Sequence, residues 1–146
     1  MPIKSFRGRI AAASIDKVVL HTNNGTTGYK IKSLSTIIDE PAAYDSEATL
    51  KIFSVPQTTT SSTIDFSDQT LLGVAYTRTG SGSTEMVDQV VIFDHITFNQ
   101  DIYITAVEPI NSRPNNYLIE LEQVQLDLNQ NTVATLKDIR NITAPT

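Results

Sequence analysis

The chain of 146 residues has the length of one domain, is 40% hydrophobic and 18% charged, and carries a net charge of -5. A domain of that length buries about 68–70% of its unfolded surface, so a single core can hold it together. The absence of cysteine excludes a disulfide framework and thiolate metal sites, and the acidic balance argues against general nucleic-acid binding, which needs a basic surface.

The first ten residues hold Lys4, Arg7 and Arg9 and no acid. They read as a basic N-terminal arm over 1–10 that docks on an acidic surface, or more plainly as a solvated terminus. The start lacks the apolar core of about 7–15 residues that marks a secretory signal. No run approaches the ~20 apolar residues of a membrane-spanning helix. The expectation is a protein made and used without crossing a membrane by the general secretory route.

From there the apolar pattern has period two nearly everywhere, the signature of strands. A first strand spans Ile15 to His21 and leads into Asn24-Gly25, the strongest short hairpin signal in the chain. A second spans Tyr29 to Ile38, with Tyr29 and Ile31 on one side before Leu34 and Thr36 change phase. The acids and Pro41 of DEPAAYDSE break regular structure, a third strand runs from Ala48 to Val55, and Pro56 closes it. Ile64–Phe66 is a candidate short edge strand. Leu71 to Arg78 is apolar on both faces and reads as a central strand. After the flexible tip Thr79–Thr84 come strands at Met86 to Phe93, Ile102 to Val107 and Tyr117 to Leu128.

The last of these is the longest, and it also changes phase. Tyr117, Ile119 and Leu121 are apolar at odd positions, then Val124, Leu126 and Leu128 at even ones. With a side-chain period of two, such a slip moves the second half to the opposite face unless a bulge restores it. Beyond it, Val133, Leu136 and Ile139 recur at three-residue spacing, which fits a short helix or an extended docking strand in a C-terminal extension over 130–146. The whole pattern predicts one all-β domain over 1–146, an antiparallel β-sandwich, jelly-roll-like or immunoglobulin-like.

Site chemistry is sparse. Only His21 and His95 are present, and Asp94-His95 is a poor acid–base pair because neighbours on a strand point to opposite faces. Ser81 lacks the G-x-S-x-G spacing of a nucleophile elbow. Gly80 and Gly82 lack the third glycine and following helix of a dinucleotide loop. Two acid groups, Asp39, Glu40, Asp45 and Glu47, and Asp65 with Asp68, supply calcium-type oxygens but not the EF-hand spacing. Glu120 and Glu122 lie side by side on one strand face, not across a cleft as glycosidase carboxylates do. The five tyrosines, without tryptophan, make a weak platform for sugars. No catalytic residue, cofactor or metal is expected.

Long segments of the chain carry a resemblance: the opening MPIKSFRG, the turn HTNNGTTGYKI, IDFSDQTLLGVAY, VVIFDHITFNQDIYIT and the end NYLIELEQVQLDLNQNTVATLKDIRN. In these it resembles small virion structural proteins of tailed phages that infect marine bacteria. The resemblance implies a non-enzymatic assembly component present in many copies, made in the host cytoplasm and located in the virion. A capsid decoration (cement) protein, or a related head or tail component, is the leading expectation. Its partners would be itself, as a homo-oligomer such as a trimer, and major capsid or other virion proteins. The candidate contact residues are Lys4, Phe6, Arg7, Arg9, Glu120, Glu122, Leu126, Leu128, Leu136, Ile139 and Arg140. The runner-up is a carbohydrate- or host-receptor-binding β-domain of a phage fibre, and a hydrolase stands third.

Overall fold

The computed structural model describes residues 2–20, 26–41, 45–79 and 87–126. Eight strands run through them: β1 (Ile3–Ile10), β2 (Ser14–Val18), β3 (Thr27–Ile38), β4 (Ser46–Phe53), β5 (Leu71–Thr79), β6 (Val87–Ile92), β7 (Ile102–Val107) and β8 (Asn115–Gln125). They form two antiparallel sheets, a three-stranded one in the order β1-β8-β3 and a five-stranded one in the order β2-β7-β4-β5-β6. The sheets pack face to face as a β-sandwich, and among the described residues there is no helix. Strands from opposite ends of the chain pair, β1 with β8 and β2 with β7, while the consecutive β4 and β5 pair at its middle, as when one long hairpin is folded over and rolled.

Alternation explains which side chains meet. From β8, Ile119 and Leu121 point inward, with Ile31, Leu34 and Tyr29 of β3 beside them. Leu50 and Ile52 of β4 and Ile102 and Ile104 of β7 face them from the other sheet, and all are buried. Each such aliphatic side chain removed from water contributes about 1.5–3 kcal/mol before chain entropy is counted.

The phase change in β3 is a bulge. Ile31 pairs with Leu121 and Ser33 with Glu120, so Lys32 is an extra residue with no opposite number. It lets Tyr29 and Ile31 point inward before it, and Leu34, Thr36 and Ile38 after it. The phase change in β8 has a different origin. β8 pairs without interruption to β1, and Gln123 simply takes the inward place opposite Tyr29. Val124 and Leu126 therefore fall on the outer face, where Leu126 lies buried over Gly28; a Cβ on Gly28 would sit 3.0 Å from Leu126 Cδ1 and press on that side chain.

Two expectations are corrected. Residues 3–10 are not a free arm but edge strand β1, hydrogen-bonded along its length to β8, because Phe6 and Ile10 alternate inward and have a core to enter. Ile64–Phe66 is not a strand. It belongs to the loop 54–70, which folds over the outer face of the five-stranded sheet: the Ser54 N–H donates to Thr70 O at 2.9 Å and Lys51 Nζ donates to Thr63 O at 2.8 Å. Beneath and beside that loop, Phe53, Leu71, Val74 and Phe93 form a second small core. β5 therefore is covered on both faces, as its unbroken apolar run predicted. Of the expected tip Thr79–Thr84, Thr79 ends β5, and residues 80–84 lie outside the described residues, as do the Asn24-Gly25 turn and the extension over 130–146.

Candidate interaction surface

The outer face of the three-stranded sheet gathers four of the candidate contact residues. Directly opposed residues of antiparallel strands share a face, so the cross-sheet rows can be read from the register. They are Arg9–Asn116–Ile37, Arg7–Leu118–Ser35, Ser5–Glu120–Ser33 and Ile3–Glu122–Lys30. The result is three parallel stripes of charge. β1 presents Arg7 and Arg9, β8 presents Glu120 and Glu122, and β3 presents Lys30 and the bulge residue Lys32. Exposed Ile3 and Ile37 lie at opposite corners.

Within the face, Lys32 Nζ sits 3.0 Å from Glu122 Oε2. The hydrogen bond from Lys32, aided by the nearby positive charges, holds the Glu122 carboxyl below the usual range. Arg7 and Arg9 are exposed and make no ion pair with another described residue. Lys30 and Lys32 are two residues apart and share the outer face, Lys30 directly opposite Glu122 and Lys32 as the unpaired bulge residue next to it.

The remaining contact candidates separate. Lys4 and Phe6 are on the inward side of β1. Phe6 packs against the main core, and Lys4 Nζ lies 3.5 Å from Tyr29 Oη at the end of the sandwich. Leu126 is 5% exposed and is held by the chain itself. Leu128, Leu136, Ile139 and Arg140 lie outside the described residues.

The acidic groups read as calcium candidates have other roles. Asp65 accepts from the Ser67 N–H and hydroxyl, and Asp68 from those of Thr70, so both carboxylates form tight turns in the loop 54–70. Asp39 grips Arg113 through two bonds of 3.1 and 2.7 Å, with Glu40 beside it at 3.4 Å. Among the described residues, no group of three His, Asp or Glu side chains is placed to hold a metal ion.

Three features escape the sequence reading. Buried Glu108 accepts backbone N–H groups from Glu47, Ile110, Asn111 and Arg113. Burial pushes its carboxyl up, but the four donors outweigh that and hold it below the ordinary value. Lys51 is buried on the outer face of β4, where desolvation lowers its pKa and the Asp68 carboxylate partly offsets this. Finally, Phe66 meets Phe93 edge-to-face at 5.4 Å and lines a pocket of about 200 Å³ with Asp68, Gln69, Leu71, His95 and Ile96. Phe66 is 55% exposed, but in sequence I-D-F reads as a strand and nothing there marks the pocket.

No family model, curated protein or solved structure matches the chain.

Proposed function

We propose that the chain is a non-enzymatic structural protein of a phage virion, a capsid decoration (cement) protein or related head or tail component, acting through contacts with its own copies and with major capsid or other virion proteins. The carrying observation is the striped outer face of the three-stranded sheet, with exposed Arg7 and Arg9 beside the Glu120/Glu122 stripe. A flat face with charges at fixed strand spacing and apolar corners suits a wet, hydrogen-bonded protein contact, in which complementary charge sets register more than affinity. The rolled pairing supports a finer reading of the fold as a jelly roll in which β6 has stayed on β5 instead of crossing to β3. Such folds serve capsid and lectin domains alike, so the fold by itself does not choose between them.

The test is the solution mass of the purified protein by light scattering, joined to co-sedimentation with assembled heads of tailed phages from marine bacteria. Oligomers that bind particles are the expected outcome. A monomer at high concentration with no affinity for particles would sink the proposal.

A second reading, a glycan- or host-receptor-binding domain of a fibre, is favoured by one observation: the Phe66/Phe93 pocket, with Asp68, Gln69 and His95 at its polar side. An apolar ring beside a few polar groups is the ordinary make-up of a small-ligand site. A glycan array decides it, and a signal that survives Phe66→Ala would place binding elsewhere.

A further inference from the structure

The four sheet edges are not equally protected. β1 carries Lys4, Arg7 and Arg9, and β2 is only five residues long with Asp16 and Lys17 in it. β3 is crossed at Tyr29 by two backbone bonds to Phe98, of 2.8 and 3.0 Å, and carries Lys30 and the Lys32 bulge. Charge, shortness, bulges and cover are the devices that keep an edge from recruiting another strand. β6 has the fewest of them: it is six residues long and Asp88 is its single charge. Its sequence VDQVVI holds one acid, no lysine, no proline and no bulge, Val87 through Val90 are exposed, and no described strand pairs with its outer side.

The ladder shows which backbone groups that edge offers. The Phe93 N–H donates to Leu72 O at 3.1 Å, continuous with the β5–β6 register. Hydrogen-bonded and non-bonded pairs alternate in an antiparallel ladder. Val91, Gln89 and Val87 therefore bond to β5, while Asp88, Val90 and Ile92 direct their N–H and C=O groups outward.

We infer that β6 is a self-pairing edge, and that a second copy of this chain adds to it antiparallel across a two-fold axis through Val90. The proposal takes from the proposed function only the idea of self-association. The outward residues match themselves under that operation. Val90 meets Val90 of the copy, and Asp88 meets Ile92, so each of the three pairs exchanges both of its backbone bonds. The two Asp88 side chains stay four residues apart, roughly 13 Å at about 3.3 Å per residue, beyond the ~8–10 Å screening length of physiological salt. The two five-stranded sheets then run together as one.

The symmetry makes the test specific, because residue 90 faces its own copy. Sedimentation velocity on the full chain is expected to show a dimer for the wild type and at least a tenfold weaker association for Val90→Lys and for Val90→Glu alone. An equimolar mixture of the two variants restores the dimer, since opposite charges then meet on the axis. Circular dichroism and the melting midpoint confirm that each variant is folded. Should either fail to fold, amide hydrogen exchange on the wild type replaces it, and the Asp88, Val90 and Ile92 amides are expected to slow as protein concentration rises. Association unchanged in both variants, or exchange independent of concentration, overturns the β6 contact and leaves self-association through another surface standing. A wild type that is monomeric at the highest concentration overturns both.

Discussion

Glu108 is 2% exposed, yet no cation pairs with it in the described structure; four backbone N–H groups do that work. They come from one strand start and from the loop that turns β7 into β8, where Ser112 has a φ of 55°. A loop this tight has more donors than its own carbonyls can reach, and a carboxylate is the one side chain that accepts from four at once. Hydrogen bonds to a charged group are worth about 1.5–3 kcal/mol, and buried donors left unpaired cost about 1–3 kcal/mol. Glu108→Gln is therefore expected to cost about 2–3 kcal/mol in denaturant unfolding. The pH dependence follows from the depressed carboxyl. Its contribution is complete above the unfolded value of about 4.3 and is lost as pH falls through the lower folded value. Wild-type stability should drop over that acid window, and the loss should be smaller in the Gln variant. Nothing in the sequence distinguishes Glu108 from the other acids. Its role depends on a loop conformation that only the closed sandwich creates.

At the scale of elements, period-two patterning located seven of the eight strands, and the one it missed shows why. β1 alternates Lys4, Phe6, Gly8 and Ile10 on one side with Ile3, Ser5, Arg7 and Arg9 on the other. Three large hydrophobes interleaved with three cations look like a solvated arm, and the strand exists because β8 offers it a full ladder more than a hundred residues away. The same locality limits the phase changes. Both β3 and β8 show one in sequence, but only the pairing reveals that the first is an inserted residue and the second a true change of face. This separates two alterations at a single position. Lys32→Ala removes an exposed ion pair and is expected to change stability by no more than about 1 kcal/mol. Deleting Lys32 removes the bulge and turns either Tyr29 and Ile31 or Leu34, Thr36 and Ile38 to the wrong face. At about 1.5–3 kcal/mol for each of the two misplaced large side chains, the deletion should cost about 3–6 kcal/mol, a large part of a typical domain's total stability. Thermal melts of the two variants side by side check this, and equal midpoints would mean that the bulge can migrate.

Over the whole molecule, the sandwich class is legible because alternation needs only local sequence, whereas the strand order depends on which distant edges meet. The charged face shows the same division. Lys4, Arg7 and Arg9 are one cluster in the sequence, but β1 sends Lys4 inward and Arg7 and Arg9 outward, beside acids contributed by β8. A stabilising role and a docking role for those two arginines have different signatures. Neither is ion-paired to a described residue, so folding stability should be nearly indifferent to them, within about 0.5 kcal/mol for surface substitutions. An acidic partner should not be indifferent, because the pair supplies most of the fixed positive charge along β1. In an Arg7→Glu, Arg9→Glu double variant the expected outcome is an unchanged melting midpoint with at least tenfold weaker co-sedimentation with particles. The wild type itself should lose binding between about 0.05 and 0.5 M salt, as the screening length shortens from roughly 14 Å to 4 Å. A melting midpoint that falls with binding would mean that the arginines hold β1 in place. Binding insensitive to both charge reversal and salt would move the contact off this face altogether, leaving the β6 edge as the surface through which the protein assembles.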